Sequence, residues 1–275
     1  MKNTTSDIVI PATANFIQHG RGTPIVMIHG IAASLHGWDN LIPVLTENGY
    51  ASYALDLLGH GDSPKPDSRA YHINWVFDHF VNWLTSLRLT TPPILIGHSL
   101  GGYIALEYAR RFSSLTRSLI LVNPFYSLSQ LPFLLRRTYH HPTLSRLVTM
   151  RFPESMFRAI VDVTSITMGH NTGELHSLPE HIRTQTALDY TRTAPGVYNL
   201  PNTLTDLNDR LPSISKPSLV IWGSRDQTLS PASFPKMVEA MPSAVGKPMR
   251  AKHVPHQSNT EEFNEMVVGF LNGVV

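Results

Sequence analysis

Residues 92–112 read PPILIGHSLGGYIALEYARRF, and this stretch decides the fold. The apolar run near its start predicts a buried strand, and the apolar spacing from residue 103 onward predicts a helix. Ser99 lies at the corner between the two. A sharp turn at a serine leaves no room for side chains two residues before and after it, which explains Gly97 and Gly101. The free N–H groups at the start of the helix favour negative charge beside the serine.

The G-x-S-x-G spacing is a weak signal when it stands alone, because a glycine-rich turn with an incidental serine has the same pattern. The strand before Ser99 and the helix after it supply the context that a nucleophile at a strand-to-helix turn requires. A serine nucleophile also needs a base to take its proton and a third group to orient that base. These partners must come from other parts of the chain.

Length and composition narrow the class of protein. A chain of 275 residues suits one large domain or one domain with an insertion. The net charge of +2, without a basic stripe of interleaved aromatic residues, argues against nucleic acid as a partner. The chain has no cysteine, which excludes disulfides, thiolate nucleophiles and cysteine-ligated zinc.

The sequence also bears on location. The N-terminus lacks a charged region followed by an apolar core, so we expect no signal peptide. No apolar run approaches the ~18–20 residues that span a bilayer, so we expect no integral membrane segment. These observations predict a cytoplasmic protein.

Outward from residues 92–112, apolar strand patterns alternate with helical patterns along most of the chain. Two short antiparallel strands within residues 7–19 precede buried strands predicted at 24–28, 50–55, 94–96, 117–122, 217–222 and 247–251. Helices are predicted at 35–47, 73–87, 230–240 and 261–271, besides the one after Ser99. This alternation predicts an α/β fold with a doubly wound, mostly parallel sheet of about eight strands.

Residues 125 to about 211 break this alternation. They contain amphipathic pieces at 127–139, 143–150, 154–167 and 179–192, without a clear buried strand. We therefore predict a core made of residues 1–123 and 213–275, and a helical cap made of residues 124–212. The first half of the cap combines apolar residues with arginines. This indicates either an apolar acyl- or aromatic-binding pocket with a weak lipid-surface contact, or a helical lid whose apolar face packs on the core and whose arginines are solvated.

Two candidate partners of Ser99 follow predicted strands. Asp226 lies in the loop after the strand at 217–222, and His253 lies in the loop after the last predicted strand. In a doubly wound sheet such loops lie together at the carboxyl ends of the strands. The chain order Ser, Asp, His is the one expected for this architecture.

Taken together, these motifs resemble the α/β-hydrolase fold superfamily, in the form that has a helical cap inserted after the sixth strand. The resemblance covers nearly the whole core. It depends on His29-Gly30 with Ser34, Asp56-x-x-Gly59-x-Gly61-x-Ser63, Gly97-His98-Ser99-Leu100-Gly101-Gly102, Trp222-Gly223-x-x-Asp226, and His253-x-Pro255 followed by Glu262-Phe263.

The resemblance implies a role for each matched position. Ser99 would be the nucleophile, His253 the general base and acid, and Asp226 the carboxylate that orients the histidine. The backbone N–H groups of Leu100 and Ile31 would form the oxyanion hole, where each donor typically contributes ~3 kcal/mol to transition-state stabilisation.

One departure from the family pattern and two alternative assignments have to be considered. Relatives usually have glycine before the catalytic histidine, whereas this chain has Lys252, which alters the loop backbone or places a cation near the site. His256 is a second candidate base, but the spacing from His253 to Pro255 favours His253. Asn123 occupies the position where an alternative acid could lie, and it is uncharged.

Other polar residues are expected to be structural. Asp56 and Asp62 suit hydrogen bonds within their turn, and His98 and His29 suit packing next to the nucleophile rather than a second base. The histidines of the predicted cap lack metal-ligand spacing, so we expect no metal and interpret them as ordinary cap residues; they are His140, His141, His170, His176 and His181.

A serine at the corner predicts acyl transfer through an acyl-enzyme, without a cofactor. We expect a serine esterase acting on small to medium hydrophobic esters. The pocket candidates are His29, His98, Phe125, Leu131, Leu134 and Val254. The alternatives are a C–C bond hydrolase, a monoglyceride lipase, a cofactor-free perhydrolase or acyltransferase, and a ligand receptor without catalysis. The sequence leaves the natural substrate and the oligomeric state open.

Overall fold

The computed structural model describes residues 11–67, 70–133, 136–137, 153–165 and 178–274. Its strands are β1 (Phe16–His19), β2 (Thr23–Ile28), β3 (Tyr50–Leu55), β4 (Ile94–His98), β5 (Ser118–Val122), β6 (Ser218–Gly223) and β7 (Ala244–Met249). Within these ranges they form one sheet of seven strands in the order β1-β3-β2-β4-β5-β6-β7. Every neighbouring pair is parallel except β1 with β3. The predicted doubly wound α/β fold is confirmed.

Helices cover both faces of the sheet. The helices of the described residues are α1 (Ile42–Glu47), α2 (Ile73–Ser86), α3 (Leu100–Arg111), α4 (Glu154–Ser165), α5 (Glu180–Arg192), α6 (Ser233–Ala240), α7 (Pro255–Ser258) and α8 (Thr260–Val274). Within β4, Leu95 packs with α2 and α3, whereas Ile94 and Ile96 pack with α1 and α8. Because side chains alternate across a strand, a strand buried on both faces is apolar along most of its length.

The boundaries differ from the predicted ones where local chemistry interrupts a pattern. The helix predicted at 35–47 consists of a 3-10 turn, Leu35–Trp38, and the separate helix α1. Pro43 in the first turn of α1 lacks an N–H donor, which suits the start of a new helix and not the middle of a long one. Strand β7 begins three residues earlier than predicted, because this edge strand is largely exposed and lacks a clear apolar run. The first of the two strands predicted within 7–19 lies mainly outside the described residues.

Between β5 and β6, the described residues are helical. Helices α4 and α5 pack together through the stacked rings of Phe157 and Tyr190, whose centroids are 3.6 Å apart. Asp162 on α4 also pairs with Arg183 on α5. The two ends of this region meet where the Leu207 N–H donates to the Tyr126 carbonyl oxygen at 2.9 Å. The predicted piece at 143–150 and parts of 127–139 and 154–167 lie outside the described residues, and the limits 124–212 stay a prediction.

Among the described residues, no helix is long and apolar enough to cross a membrane.

Candidate active site

Ser99 occupies a strained corner between β4 and α3. Its backbone has φ +51° and ψ −114°, a sparsely populated combination for a residue with a side chain. A β-carbon at Gly97 would lie 2.4 Å from the Gly101 carbonyl oxygen, and one at Gly101 would lie 2.1 Å from the carbonyl oxygen of Ile28. Both glycines are therefore required by close backbone contacts, as the sequence indicates.

Hydrogen bonds and close packing hold this corner in place. The Ser99 N–H donates to the Val122 carbonyl oxygen at 3.0 Å, and its carbonyl oxygen accepts from the Phe125 N–H at 3.0 Å. A β-carbon at Gly102 would come within 2.7 Å of Pro124, so α3 lies directly against the end of β5. Leu100 is the first residue of α3, and the first N–H groups of a helix have no partner within it.

Asp226 follows β6, and its carboxylate is saturated with donors. Oδ2 contacts His253 Nδ1 at 2.7 Å and accepts from Asn123 Nδ2 at 2.6 Å. Oδ1 accepts from the N–H groups of Thr228 at 2.7 Å and Leu229 at 3.1 Å. Burial alone would raise the pKa of Asp226, but the charge of His253 and these hydrogen bonds outweigh it, and the pKa lies below its ordinary value.

The contact with Asp226 determines how His253 can act. A carboxylate only accepts, so Nδ1 carries the proton and Nε2 of the neutral ring is left as the basic nitrogen. His98 Nε2 donates to the His253 backbone carbonyl oxygen at 2.9 Å, and the two rings pack with centroids 4.9 Å apart. The loop before His253 also runs tightly past β6, since a β-carbon at Gly223 would lie 1.9 Å from the carbonyl oxygen of Lys252.

His256 lies close to this group but has a different environment. Its ring packs between Trp38, at a centroid distance of 4.8 Å, and His98, at 4.6 Å. Burial, followed by the nearby charge of His253, lowers the pKa of His256 to about 3. Burial also lowers the pKa of His98 well below its ordinary value, and the neighbouring histidines add to that shift. The contact with Asp226 belongs to His253 and not to His256.

His29 lies on the other side of the corner, and both of its ring nitrogens are satisfied. Nδ1 donates to the Gly30 carbonyl oxygen at 2.7 Å, and Nε2 accepts from the Leu57 N–H at 2.9 Å. Burial lowers the pKa of His29, with Asp56 partly opposing that shift. A neutral His29 therefore holds the segment that leads from β2 to Ile31.

Asp56 holds the neighbouring turn through its carboxylate. It accepts from the Leu35 N–H at 2.8 Å, from Asn15 Nδ2 at 2.8 Å and from the Asp62 N–H at 2.9 Å. Asp62 itself is exposed, and its side chain pairs with Arg192 on α5 at 3.3 Å. The contacts of Asp56 and of Asp62 are therefore structural.

A cavity of about 210 Å³ lies beside this corner, and Ser99 and His253 both lie on its wall. Of the predicted pocket residues, His29, His98 and Val254 line this cavity, as does Ile31. Phe125 and Leu131 pack in or against the core cluster on the α2–α3 face of the sheet, and Leu134 lies outside the described residues.

Sequence reasoning missed three features of the site. Asn123 was considered only as a missing acid, whereas its amide donates to Asp226; its place at the end of β5, next to β6, was the available signal. The cavity wall also includes Thr186 and Asp189 of α5. Burial raises the pKa of Asp189 to about 6, although hydrogen bonds from Gln185 and Ser34 partly oppose the shift. No sequence signal marks these two residues, since only the packing of α5 brings them to the cavity.

The described residues include no group of three or more His, Cys, Asp or Glu side chains that could hold a metal ion.

Comparisons with known proteins agree with this architecture. A family model described as the α/β hydrolase fold matches residues 23–260. The pimeloyl-(acyl-carrier protein) methyl ester esterase of Aeromonas hydrophila subsp. hydrophila is 24% identical over 256 residues, which cover 92% of this chain and 96% of that protein.

Two solved structures show the same fold. A thermophilic esterase from Thermogutta terrifontis, with malate bound, superimposes with a TM-score of 0.78 at 20% identity, covering 95% of this chain and 93% of that one. A membrane phospholipase A, described as a bacterial virulence factor, has a TM-score of 0.75 at 26% identity and covers 94% of this chain and 82% of that one. The family match spans Ser99, Asp226 and His253.

Proposed function

The chain belongs to the α/β hydrolase fold family, and from this premise we propose that it is a serine hydrolase that cleaves carboxylic esters of small to medium hydrophobic compounds. The observation that carries the proposal is the 2.7 Å contact between His253 Nδ1 and Asp226 Oδ2, beside a cavity whose wall includes both Ser99 and His253. A histidine oriented by a carboxylate next to a strained serine is the arrangement needed to activate a hydroxyl group.

In the proposed reaction, Ser99 Oγ attacks the ester carbonyl carbon and its proton passes to His253 Nε2. The carbonyl oxygen becomes an oxyanion, which accepts hydrogen bonds from the N–H groups of Leu100 and Ile31. When the tetrahedral intermediate collapses, the ester C–O bond breaks and His253 gives its proton to the leaving alcohol. Asp226 stays ionised throughout and stabilises the imidazolium form of His253.

A water molecule then hydrolyses the acyl-enzyme. His253 takes a proton from the water as it attacks the acyl carbon, and Ser99 regains its proton when the acid leaves. The strained backbone at Ser99 keeps Oγ at the corner, and its hydrogen bonds to Val122 and Phe125 fix the position from which attack starts.

The size and lining of the cavity support a modest substrate. A volume of about 210 Å³ is below the ~300–1,000 Å³ of pockets for drug-sized ligands. The side chains of Ile31, Trp38, Leu178 and Val254 make much of the wall apolar. We propose that residues 124–212 act as a cap, because Leu178 and two residues of α5 contribute to the wall of the cavity.

Hydrolysis of a p-nitrophenyl ester series from acetate to palmitate tests this function. We expect wild-type turnover to be greatest for short or medium acyl chains, and to fall by at least roughly 10⁴-fold in Ser99→Ala. The matched control is Ser114→Ala, because Ser114 is exposed and far from the site in the fold. Equal turnover by wild type and Ser99→Ala, or no turnover on any ester, would contradict the proposal.

A further inference from the structure

The cap side of the cavity carries a carboxyl group that the proposed reaction does not use. Asp189 lies on α5, is only 4% exposed, and lines the same cavity as Ser99 and His253. It is the only acid among the described residues that line this cavity, which include no lysine or arginine. A substrate group that faces α5 therefore meets an acceptor without a competing cation on the wall.

The internal contacts of α5 do not explain why this residue is an acid. Gln185 Nε2 donates to Asp189 Oδ1 at 2.7 Å, one helical turn away. This bond needs only an acceptor oxygen, which an asparagine at position 189 would supply equally well. Burying a carboxylate costs more than burying an amide, so packing alone favours the amide.

The groups around Asp189 leave part of its carboxylate able to accept hydrogen bonds from a ligand. Burial is the main reason why its pKa rises to about 6, and Asp56 adds to the shift. Gln185, Ser34 and His36 act in the opposite direction. An ionised carboxylate has about four acceptor sites, and the contacts with Gln185 and Ser34 occupy two of them.

We propose that Asp189 is a specificity-determining residue that accepts a hydrogen bond from a hydroxyl or ammonium group on the substrate. The inference rests on the proposed hydrolase function and narrows its substrate class: the preferred esters carry one donor group on the part that faces the cap. Thr186, one turn earlier on α5, places a hydroxyl on the same wall. Because the surrounding wall is largely apolar, an ester without the donor leaves the buried carboxylate unpaired and is discriminated against.

Two isosteric substrate series test the proposal. On the acyl side, p-nitrophenyl heptanoate is compared with esters whose terminal methyl group is replaced by hydroxyl or by ammonium. On the alcohol side, isopentyl acetate is compared with dimethylaminoethyl acetate. We expect kcat/KM of the wild type to favour the donor-bearing ester roughly tenfold to hundredfold in at least one series.

Two variants assign that preference to the carboxylate. Asp189→Asn keeps an acceptor for Gln185 and removes the charge, so the preference for ammonium should disappear. Glu180→Gln makes the same chemical change on the exposed first turn of α5 and should keep the wild-type preference. Equal rates within both series, or an ammonium preference that survives in Asp189→Asn, would overturn the inference while leaving the hydrolase function intact.

A binding measurement separates this inference from the proposed function. Dimethylaminoethanol and isopentanol are titrated into wild type and Asp189→Asn, with NMR chemical shifts as the readout of Kd. Tighter binding of the ammonium alcohol to wild type alone supports the role of Asp189 even if no ester is hydrolysed. Equal binding of the two alcohols to wild type contradicts it even if esters are hydrolysed.

Discussion

Two buried aspartates lie on opposite sides of the candidate active site, and their pKa values shift in opposite directions. On the core side, Asp226 accepts hydrogen bonds from two backbone N–H groups and from Asn123, and contacts His253. On the side of α5, which we propose to be the cap side, Asp189 accepts hydrogen bonds from the Gln185 amide and the Ser34 hydroxyl. The pKa of Asp226 is therefore lowered, and that of Asp189 is raised to about 6.

The difference shows that burial alone does not determine the charge of a side chain, because the nearby charge of His253 and the donors around Asp226 outweigh it. The core side lowers the pKa of its carboxylate, so Asp226 is ionised at neutral pH. The cap side keeps a carboxylate whose burial is poorly compensated, and such a group destabilises the fold near neutral pH. The first arrangement suits a fixed part of the reaction, and the second suits a group that is completed by a ligand.

The largest expected effect comes from removing the charge on the core side. Asp226→Asn should lower kcat/KM for p-nitrophenyl esters by about 10⁴-fold, because the amide allows the wrong tautomer of His253. Steady-state kinetics measures the loss, and a circular dichroism spectrum identical to that of wild type shows that the fold is kept. A loss of less than tenfold would mean that Asp226 does not orient the base.

Removing the charge on the cap side, at Asp189, should increase the free energy of unfolding at neutral pH. The pKa of Asp189 is raised from 3.8 to about 6, so the unfolded chain releases its proton first as pH rises. The contribution of Asp189 to the free energy of unfolding is therefore fully present below pH 3.8, and it is lost as pH rises through about 6. Asp189→Asn removes this loss, and should be more stable than wild type by about 3 kcal/mol at pH 7.5 but nearly equal to it at pH 4.

Urea unfolding at several pH values measures this difference, with Glu180→Gln as the control on the same helix. A gain in stability that does not change between pH 4 and pH 7.5 would contradict the raised pKa and with it the contrast between the two aspartates.

The smallest effect is expected when one hydrogen-bond donor to Asp226 is removed and the carboxylate itself is kept. Asn123→Ala deletes the amide that donates to Asp226 Oδ2 at 2.6 Å, and a hydrogen bond to a charged group typically contributes about 1.5–3 kcal/mol. We expect the pKa of Asp226 to rise, so that the acidic limb of the kcat/KM profile moves to higher pH, with a tenfold to hundredfold lower rate. A purely structural role for Asn123 would lower stability without moving the pH profile.

Most of the fold could be predicted from the sequence because burial in the core also determines the local pattern of apolar residues. Strand β4 is buried on both faces, so its residues had to form one continuous apolar run, and that run is visible in the sequence. The glycines at 97 and 101 follow from backbone contacts that any serine at such a corner would make. Local pattern and tertiary packing therefore agree at this corner.

The cap side could not be predicted for the opposite reason. Asp189 lies on a helix of mixed polarity, and it lines the cavity only because α5 packs over the loop that follows β2. Asn123 has a local context that identifies the end of a strand, but its contact with Asp226 joins positions 103 residues apart. Contacts of this kind depend on how separate elements are assembled, which a periodic pattern does not encode.

The hydrogen bond between Leu207 and Tyr126 has a consequence for protein engineering. It joins the chain on its way into the inserted helices to the chain on its way out, so the two crossing points lie side by side. An exchange of residues 127–206 for the helices of another protein would therefore join the two chains at neighbouring points. The junction leaves the Phe125 bond to Ser99 on the retained side, and a library of transplanted caps would vary selectivity while the reaction centre stays constant.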